Sequence, residues 1–459
     1  MRPSRFLVVM FTSLVALLVL ATGVGRAQNA RVLTSFTGQS ASLPEGPLLQ
    51  GRDGTLYGTT SGIPNSPGAV FQLSLSGALA FPHTFDDTDG TNPSGLVLAT
   101  DGNFYGVARY GGSSNSGVLF RLSSSGTYTV LHDFSGGSDG AYPYASPIQA
   151  TDGSLYGLTQ GNFGVASTLY KYTPQSGSFA TLYTFDVSHG QYANYLIQAT
   201  DGNLYGAAVW GGNSGCGTVF KFTIPGVPLW AYSFPCGAGG LNPEMILQAA
   251  DGSFYGITGD GGTGGTYDGT IFKSDAKGNV SILYSFPPEL IHGENPVALL
   301  QATDGNLYGA TFAGGQFSDG TLFKITTSGL FTLLYSFTGT GTGSNGAALI
   351  QHTDGLLYGT TFQGGASNAG TVYSFNVGLS PFVTFLVPAG RSGQSVQILG
   401  QGLKGTTSVT FNGTAATSFT VVSNTFMTAV VPSGATTGKV VVTTPGGALT
   451  SNVSFRVVN

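Results

Sequence analysis

From residue 31 to residue 377 the chain runs in short stretches of alternating apolar and polar residues, each ended by Gly, Asp-Gly or Ser-Gly. Such alternation between turn residues predicts β-strands. One unit shows the plan: Ala298 to Ala302 is a first strand (a), Asp304-Gly305 a two-residue turn, and Asn306 to Phe312 a second strand (b). A loop from Gly314 to Gly320 leads to Thr321–Thr326 (c), a Ser328-Gly329 turn and Leu330–Phe337 (d). Asp-Gly suits a type I′ hairpin, whose two central residues need positive φ.

The plan recurs seven times. Its marker, Asp-Gly followed by Leu-Tyr-Gly or Phe-Tyr-Gly, places aspartates at Asp53, Asp101, Asp152, Asp201, Asp251, Asp304 and Asp354, at intervals of 48, 51, 49, 50, 53 and 50 residues. A repeat of this length holding four strands predicts an all-β, seven-bladed β-propeller, because each blade buries its faces on its neighbours and the closed ring protects the sheet edges. The aspartate column is then a structural turn. After Thr371 to Asn376 the seventh unit has no strand d, and Val32-Leu33-Thr34-Ser35-Phe36 matches Leu334-Tyr335-Ser336-Phe337. The N-terminal strand is therefore expected to close the ring.

The pattern Gln301-Ala302-Thr303-Asp304-Gly305-Asn306-Leu307-Tyr308-Gly309, with Gly314-Gly315, Gly320-Thr321-Leu322-Phe323-Lys324 and Tyr335-Ser336-Phe337, resembles the choice-of-anchor tandem repeat GloVer proteins over about residues 31–377. The resemblance implies export and surface display, and carries no reaction with it. Members of that family differ in how they attach to the cell, and no sorting tail is expected after Val458-Asn459.

From Ser380 the repeat stops and Val, Thr and Ser rise. Gly393-x-x-Val396-x-Ile398-x-Gly400-x-Gly402-Leu403, Val409-x-Phe411-Asn412-Gly413, Val431-Pro432, Gly438-x-Val440-x-Val442 and Thr444-Pro445 resemble an IPT/TIG domain. Residues 380–459 are thus expected to form an Ig-like β-sandwich following a propeller of residues 31–377. Such domains space, dock or bind partners.

Composition narrows the class. Gly accounts for 73 of 459 residues and charged residues for only 8%, while 41% are hydrophobic. These values exclude a coiled coil and mark many tight turns around an ample core. Arg2 and Arg5 precede an apolar run from Phe6 to Leu20, and Gly25-Arg26-Ala27 offers small residues for cleavage, so residues 1–27 read as a signal peptide. Its removal leaves 13 basic against 21 acidic residues, a net charge of −8. That charge disfavours nucleic acid, and no later run has membrane length. A secreted or cell-surface protein, monomeric and without a cofactor, is the expectation.

In a propeller the b-to-c and d-to-a loops share one face, the default binding surface. Most acids outside the turn column map there: Glu45, Asp86, Asp87, Asp89, Asp139, Asp186, Glu244, Glu289 and Glu294 on d-to-a loops, and Asp260, Asp268 and Asp319 on b-to-c loops. The face is expected to be electronegative. Asp86, Asp87 and Asp89 form a weak calcium candidate that lacks the twelve-residue pattern with its terminal Glu. At the end of strand b the units diverge, with Arg109-Tyr110, Val209-Trp210, Gly259-Asp260, Phe312-Ala313 and Phe362-Gln363. Arg109, Tyr110, Trp210, Asp260, Phe312 and Gln363 are therefore ligand-binding candidates, with packing differences between blades as the plain alternative. Arg121, Lys171, Lys221, Lys273 and Lys324 form a regular column on strand c that reads as solvated framework.

Cys216 and Cys236 are the only cysteines, on loops of the same face, and predict a disulfide in an exported protein. Five histidines lie scattered among the units without metal-binding spacing, and no nucleophile elbow accompanies a triad. A galactose-oxidase-like copper enzyme would take a histidine from its C-terminal domain, and residues 380–459 contain none. The chain thus reads as a non-enzymatic binding or adhesion protein recognising a glycan or a protein. The alternatives are a carbohydrate-active enzyme whose acid and base are loop carboxylates, and a purely structural extracellular component.

Overall fold

The computed structural model describes residues 30–38, 42–61, 67–161, 164–263, 268–289 and 291–458. The expected signal peptide falls outside the described residues. Residues 31–375 form seven four-stranded antiparallel sheets arranged as propeller blades. Blades 1 to 6 occupy residues 49–84, 91–133, 148–184, 191–233, 241–285 and 294–336, and blade 7 combines residues 344–375 with Arg31–Ser35. That N-terminal strand pairs with Thr371–Phe375, Ser35 opposite Thr371, and closes the ring as the repeat count predicts.

Closure extends into the packing. Phe36, Leu48, Leu56 and Phe71 pack on Tyr358 and Val372 across the seam between blades 7 and 1, with the Phe36 and Phe71 ring centroids 5.3 Å apart. Each of the other six seams has an apolar cluster of its own. Burial of these clusters between neighbours is what binds one blade to the next.

The repeat marker now has a cause. In every blade the Tyr of Tyr-Gly donates its hydroxyl to the turn aspartate, from 2.7 Å at Asp101 and Asp354 to 3.1 Å at Asp53 and Asp251. The following Gly makes room for an aromatic ring of strand c: a Cβ on Gly309 would collide with Phe323 and with the Ala298 carbonyl. The lysine column joins this framework, with Lys171, Lys221 and Lys273 reaching Asp152, Asp201 and Asp251 at 3.0, 2.9 and 3.7 Å.

The turns depart from the type I′ expectation. Ala302 donates to Asn306 C=O at 3.0 Å and Gly305 to Ala302 C=O at 2.9 Å. The loop is therefore the three residues Thr303-Asp304-Gly305, with positive φ (+81°) at the glycine and not at the aspartate. Asp304 instead accepts the Asn306 N–H on its carboxylate at 3.1 Å. A type I turn ending in a left-handed glycine satisfies the strand twist without placing Asp in the left-handed region.

The C-terminal domain is a sandwich of two four-stranded sheets around Val383, Ile398, Leu403, Phe411, Met427, Val440 and Phe455. It rests on the a-to-b turns. The Arg52 guanidinium donates to Gln397 Oε1 at 2.5 Å and lies 4.7 Å over the Phe426 ring. Thr425 donates to the Arg52 carbonyl at 2.7 Å, Gln397 to Thr100 C=O at 2.6 Å, and Arg456 to Thr200 C=O at 2.9 Å. These contacts fall on blades 1, 2 and 4, on both sides of the ring. The domain therefore lies across the turn-side end of the propeller axis.

Arg52 stands where the repeat breaks. At six seams a glutamine ending strand a accepts a backbone N–H from the previous blade's turn, as Gln149 does from Thr100 at 2.8 Å. Blade 2 has Leu98 at that position, and Arg52 of blade 1 bonds Thr100 C=O at 3.0 Å across the seam instead.

Candidate functional site

The first strands of the blades surround the axis and leave a central funnel of about 600 Å³. Each blade enters its first strand through one residue in the left-handed region: Leu43, Asn92, Tyr142, Tyr192, Asn242, Asn295 and Asn345, with φ between 53° and 60°. Asn tolerates that conformation, whereas Leu and Tyr are strained by it. Two positions further on, each blade contributes one residue to a single layer of the funnel wall, namely Glu45, Ser94, Tyr144, Asn194, Glu244, Val297 and Ala347.

That layer is split. Blades 1 to 5 present an arc of hydrogen-bonding groups, and blades 6 and 7 present Val297 and Ala347 with Phe312 and Phe362 beside them. On the polar arc Tyr144 donates its hydroxyl to Glu45 Oε1 at 2.8 Å. Asn194, 6% exposed, donates to Glu244 Oε2 at 2.9 Å, and its Oδ1 has no hydrogen-bond partner. Burial within the ring, reinforced by the charge of Asp260, pushes the Glu244 carboxyl up to about 7, against the opposing pull of the Asn194 hydrogen bond. The Tyr144 hydroxyl is held well above its ordinary range by burial and by Glu45.

The strand-b candidates gather around this layer unevenly. The Arg109 guanidinium lies 5.2 Å from the Tyr144 ring and 5.3 Å from the Tyr110 ring. Phe312, 37% exposed, is part of the funnel wall. Tyr110 meets Tyr142 edge-on at 5.4 Å, and Trp210, 42% exposed, leans on Tyr192 at 4.5 Å. Both strained tyrosines, Tyr142 and Tyr192, thus partner candidates singled out from sequence. Asp260 accepts a hydrogen bond from Asn242 at 2.5 Å and acts on the funnel through its charge on Glu244. Gln363 is exposed and stands apart from the wall.

Other loop acids are engaged locally. Asp86 accepts the N–H groups of Thr88 and Asp89 at 2.8 and 3.0 Å, and Asp89 pairs with His83 at 3.0 Å. Asp87 is exposed in the same loop. The calcium candidate is therefore organised as a hydrogen-bonded turn, and among the described residues no group of three or more His, Cys, Asp or Glu is arranged to hold a metal. His132 with Asp139 and His189 with Asp186 repeat the pairing at 3.1 and 2.9 Å. Cys216 and Cys236 form the disulfide, tying the b-to-c loop of blade 4 to the connection into blade 5.

The funnel layer itself escaped the sequence reading. The sequence pattern assigns Glu45 and Glu244 to d-to-a loops, whereas Glu244 lies within strand a of blade 5, Leu241–Gln248. Aligning the repeats on the starts of strand a would have exposed the column, because its residues change from blade to blade as sharply as those of strand b.

No curated protein matches the chain in sequence. Among solved structures, a fungal alcohol oxidase of the AA5 family in complex with copper is similar at 15% identity and TM-score 0.56, covering 95% of this chain and 100% of that one. Virginiamycin B lyase from Staphylococcus aureus is similar at 13% identity and TM-score 0.54, covering 75% and 98%. At these identities the likeness is one of fold. Residues 381–457 match the IPT/TIG domain. Residues 24–194, 148–373 and 242–416 match the Gloeobacter/Verrucomicrobia repeat, and the chain belongs to that family.

Proposed function

We propose that this is an exported binding protein that takes part of a carbohydrate chain into the mouth of the central funnel. The split layer carries the reading. A sugar ring presents hydroxyl edges and an apolar face, and here hydrogen-bonding groups of blades 1 to 5 stand opposite Val297, Phe312, Ala347 and Phe362. The disulfide fits an oxidising compartment, and no helix among the described residues is long and apolar enough to cross a membrane. With the C-terminal domain across the turn-side end of the axis, ligand enters from the long-loop face.

The test is to incubate purified protein with insoluble polysaccharides and cell-wall preparations, following both protein depletion and soluble sugar. Depletion without sugar release is expected, and replacing Phe312 and Trp210 by Ala should weaken it about tenfold or more. Absence of depletion on every material would leave a structural role or a protein partner.

A second reading has one observation behind it. Glu244, poised near neutrality, shares the funnel with Glu45, and two carboxyls of unlike environment are what glycoside cleavage requires. Sugar release that Glu244→Gln abolishes would make the protein a carbohydrate-active enzyme.

A further inference from the structure

The funnel wall is rich in acceptors and poor in cations. It contains Glu45, Glu244 and Asn194, with no Lys or Arg among its lining residues. Arg109, outside that lining, has its guanidinium against the Tyr110 and Tyr144 rings. Among the described residues Glu45 has a donor in Tyr144, whereas Glu244 has only the Asn194 amide. The Asn194 amide oxygen, on a side chain more than nine-tenths buried, has no partner. A buried acceptor without a donor is rare in a finished structure and marks a place where a donor is missing. The aromatic faces of Phe312 and Phe362 in the same wall favour positive charge as well.

Building on the carbohydrate reading, we infer that the sugar recognised in the funnel carries a free ammonium group, as a glucosamine unit does, which pairs with Glu244 and donates to the Asn194 carbonyl. An N-acetylated sugar lacks the charge, and a neutral hexose offers only hydroxyls. The groups around Glu244 agree with this assignment. Asp260 adds negative charge from strand b of blade 5, Asn194 and Tyr144 face it from blades 4 and 3, and Asn295 of blade 6 contributes a neutral amide nearby. Ligand ammonium next to this carboxyl favours its ionised form, so binding near neutral pH releases a proton into the buffer.

The experiment is calorimetry of the full chain at pH 6.5 with β-1,4-linked oligomers of glucosamine, of N-acetylglucosamine and of glucose, and with oligolysine. The glucosamine oligomer should bind about tenfold or more tightly than the other two sugars, the worth of roughly one desolvated charge pair. Its heat should vary with the ionisation enthalpy of the buffer. Glu244→Gln should reduce the preference to about twofold and abolish the buffer dependence. Glu289→Gln, an exposed loop carboxylate outside the funnel wall, should retain both, and melting curves would verify that each variant is folded. Equal affinity for the three sugars would overturn the ammonium assignment and leave the carbohydrate reading standing. Binding of none of them would remove both, and binding of oligolysine alone would overturn the sugar assignment in favour of a basic peptide.

Discussion

Glu244 links the chemistry of the funnel to the stability of the chain. Its carboxyl moves from an ordinary value of 4.5 up to about 7 on folding, chiefly through burial. Between these values the folded chain holds the proton more tightly than the unfolded chain, so stability falls as pH rises across the window and levels off above it. Replacing Glu244 by Gln should remove this component and stabilise the protein at pH 8 by about 1–2 kcal/mol, after allowance for water in the funnel. Denaturant titrations at pH 5 and pH 8 would measure it, and an unchanged pH dependence would show that Glu244 is ordinary. Tyr192 makes a complementary case, because it is held at φ 57° where four other blades use Asn. Tyr192→Asn should stabilise the fold by about 0.5–1 kcal/mol while removing the ring that supports Trp210. A loss of stability would mean that the Tyr–Trp contact outweighs the backbone strain. The sequence shows that 192 breaks the repeat, but its backbone conformation follows from the way strand a enters the ring.

Among the elements, the N-terminal strand and the blade 4 loops are the decisive tests. Phe36 is 1% exposed and packs across the closing seam. Phe36→Ala should therefore cost about 3–5 kcal/mol, as a fully buried core phenylalanine does. Thermal or denaturant unfolding would read it, and a cost below about 1 kcal/mol would contradict closure by this strand. The Cys216–Cys236 bond closes a loop with a sequence separation of 20 residues. Its removal by paired Ser substitutions should cost about 2–4 kcal/mol, and titration of unreduced, denatured protein should find no free thiol. Strand order, closure and this pairing were all legible in the chain, because a repeat exposes its own missing member and two lone cysteines have no other partner. The turn geometry was not. Asp-Gly is compatible with two hairpin loops, and the extra residue before it, Thr303 in blade 6, joins the loop only once the flanking strands are in register.

For the molecule as a whole, Arg52 makes the densest set of the side-chain contacts described above between the two domains. Arg52→Ala removes the Gln397 hydrogen bond, the stacking on Phe426 and the bond to Thr100. The substitution should weaken docking by about 1.5–3 kcal/mol and separate the unfolding of the C-terminal domain from that of the propeller. Residues 380–459 expressed alone should fold, since their core draws on no propeller residue. A single unchanged calorimetric transition in the Arg52 variant would show that the interface depends on other contacts.

By itself the sequence determined the all-β class, the four-strand repeat, the closing strand, the C-terminal sandwich and the disulfide. Each depends on spacing or pattern along the chain, which local propensity and periodic burial translate directly into structure. Only the tertiary structure decided that Glu45, Ser94, Tyr144, Asn194 and Glu244 form one arc, that Arg52 latches the second domain over the axis, and that burial pushes the Glu244 carboxyl up. Those properties arise between blades, from side chains about fifty residues apart brought to a common axis, where the removal of water sets the charge state.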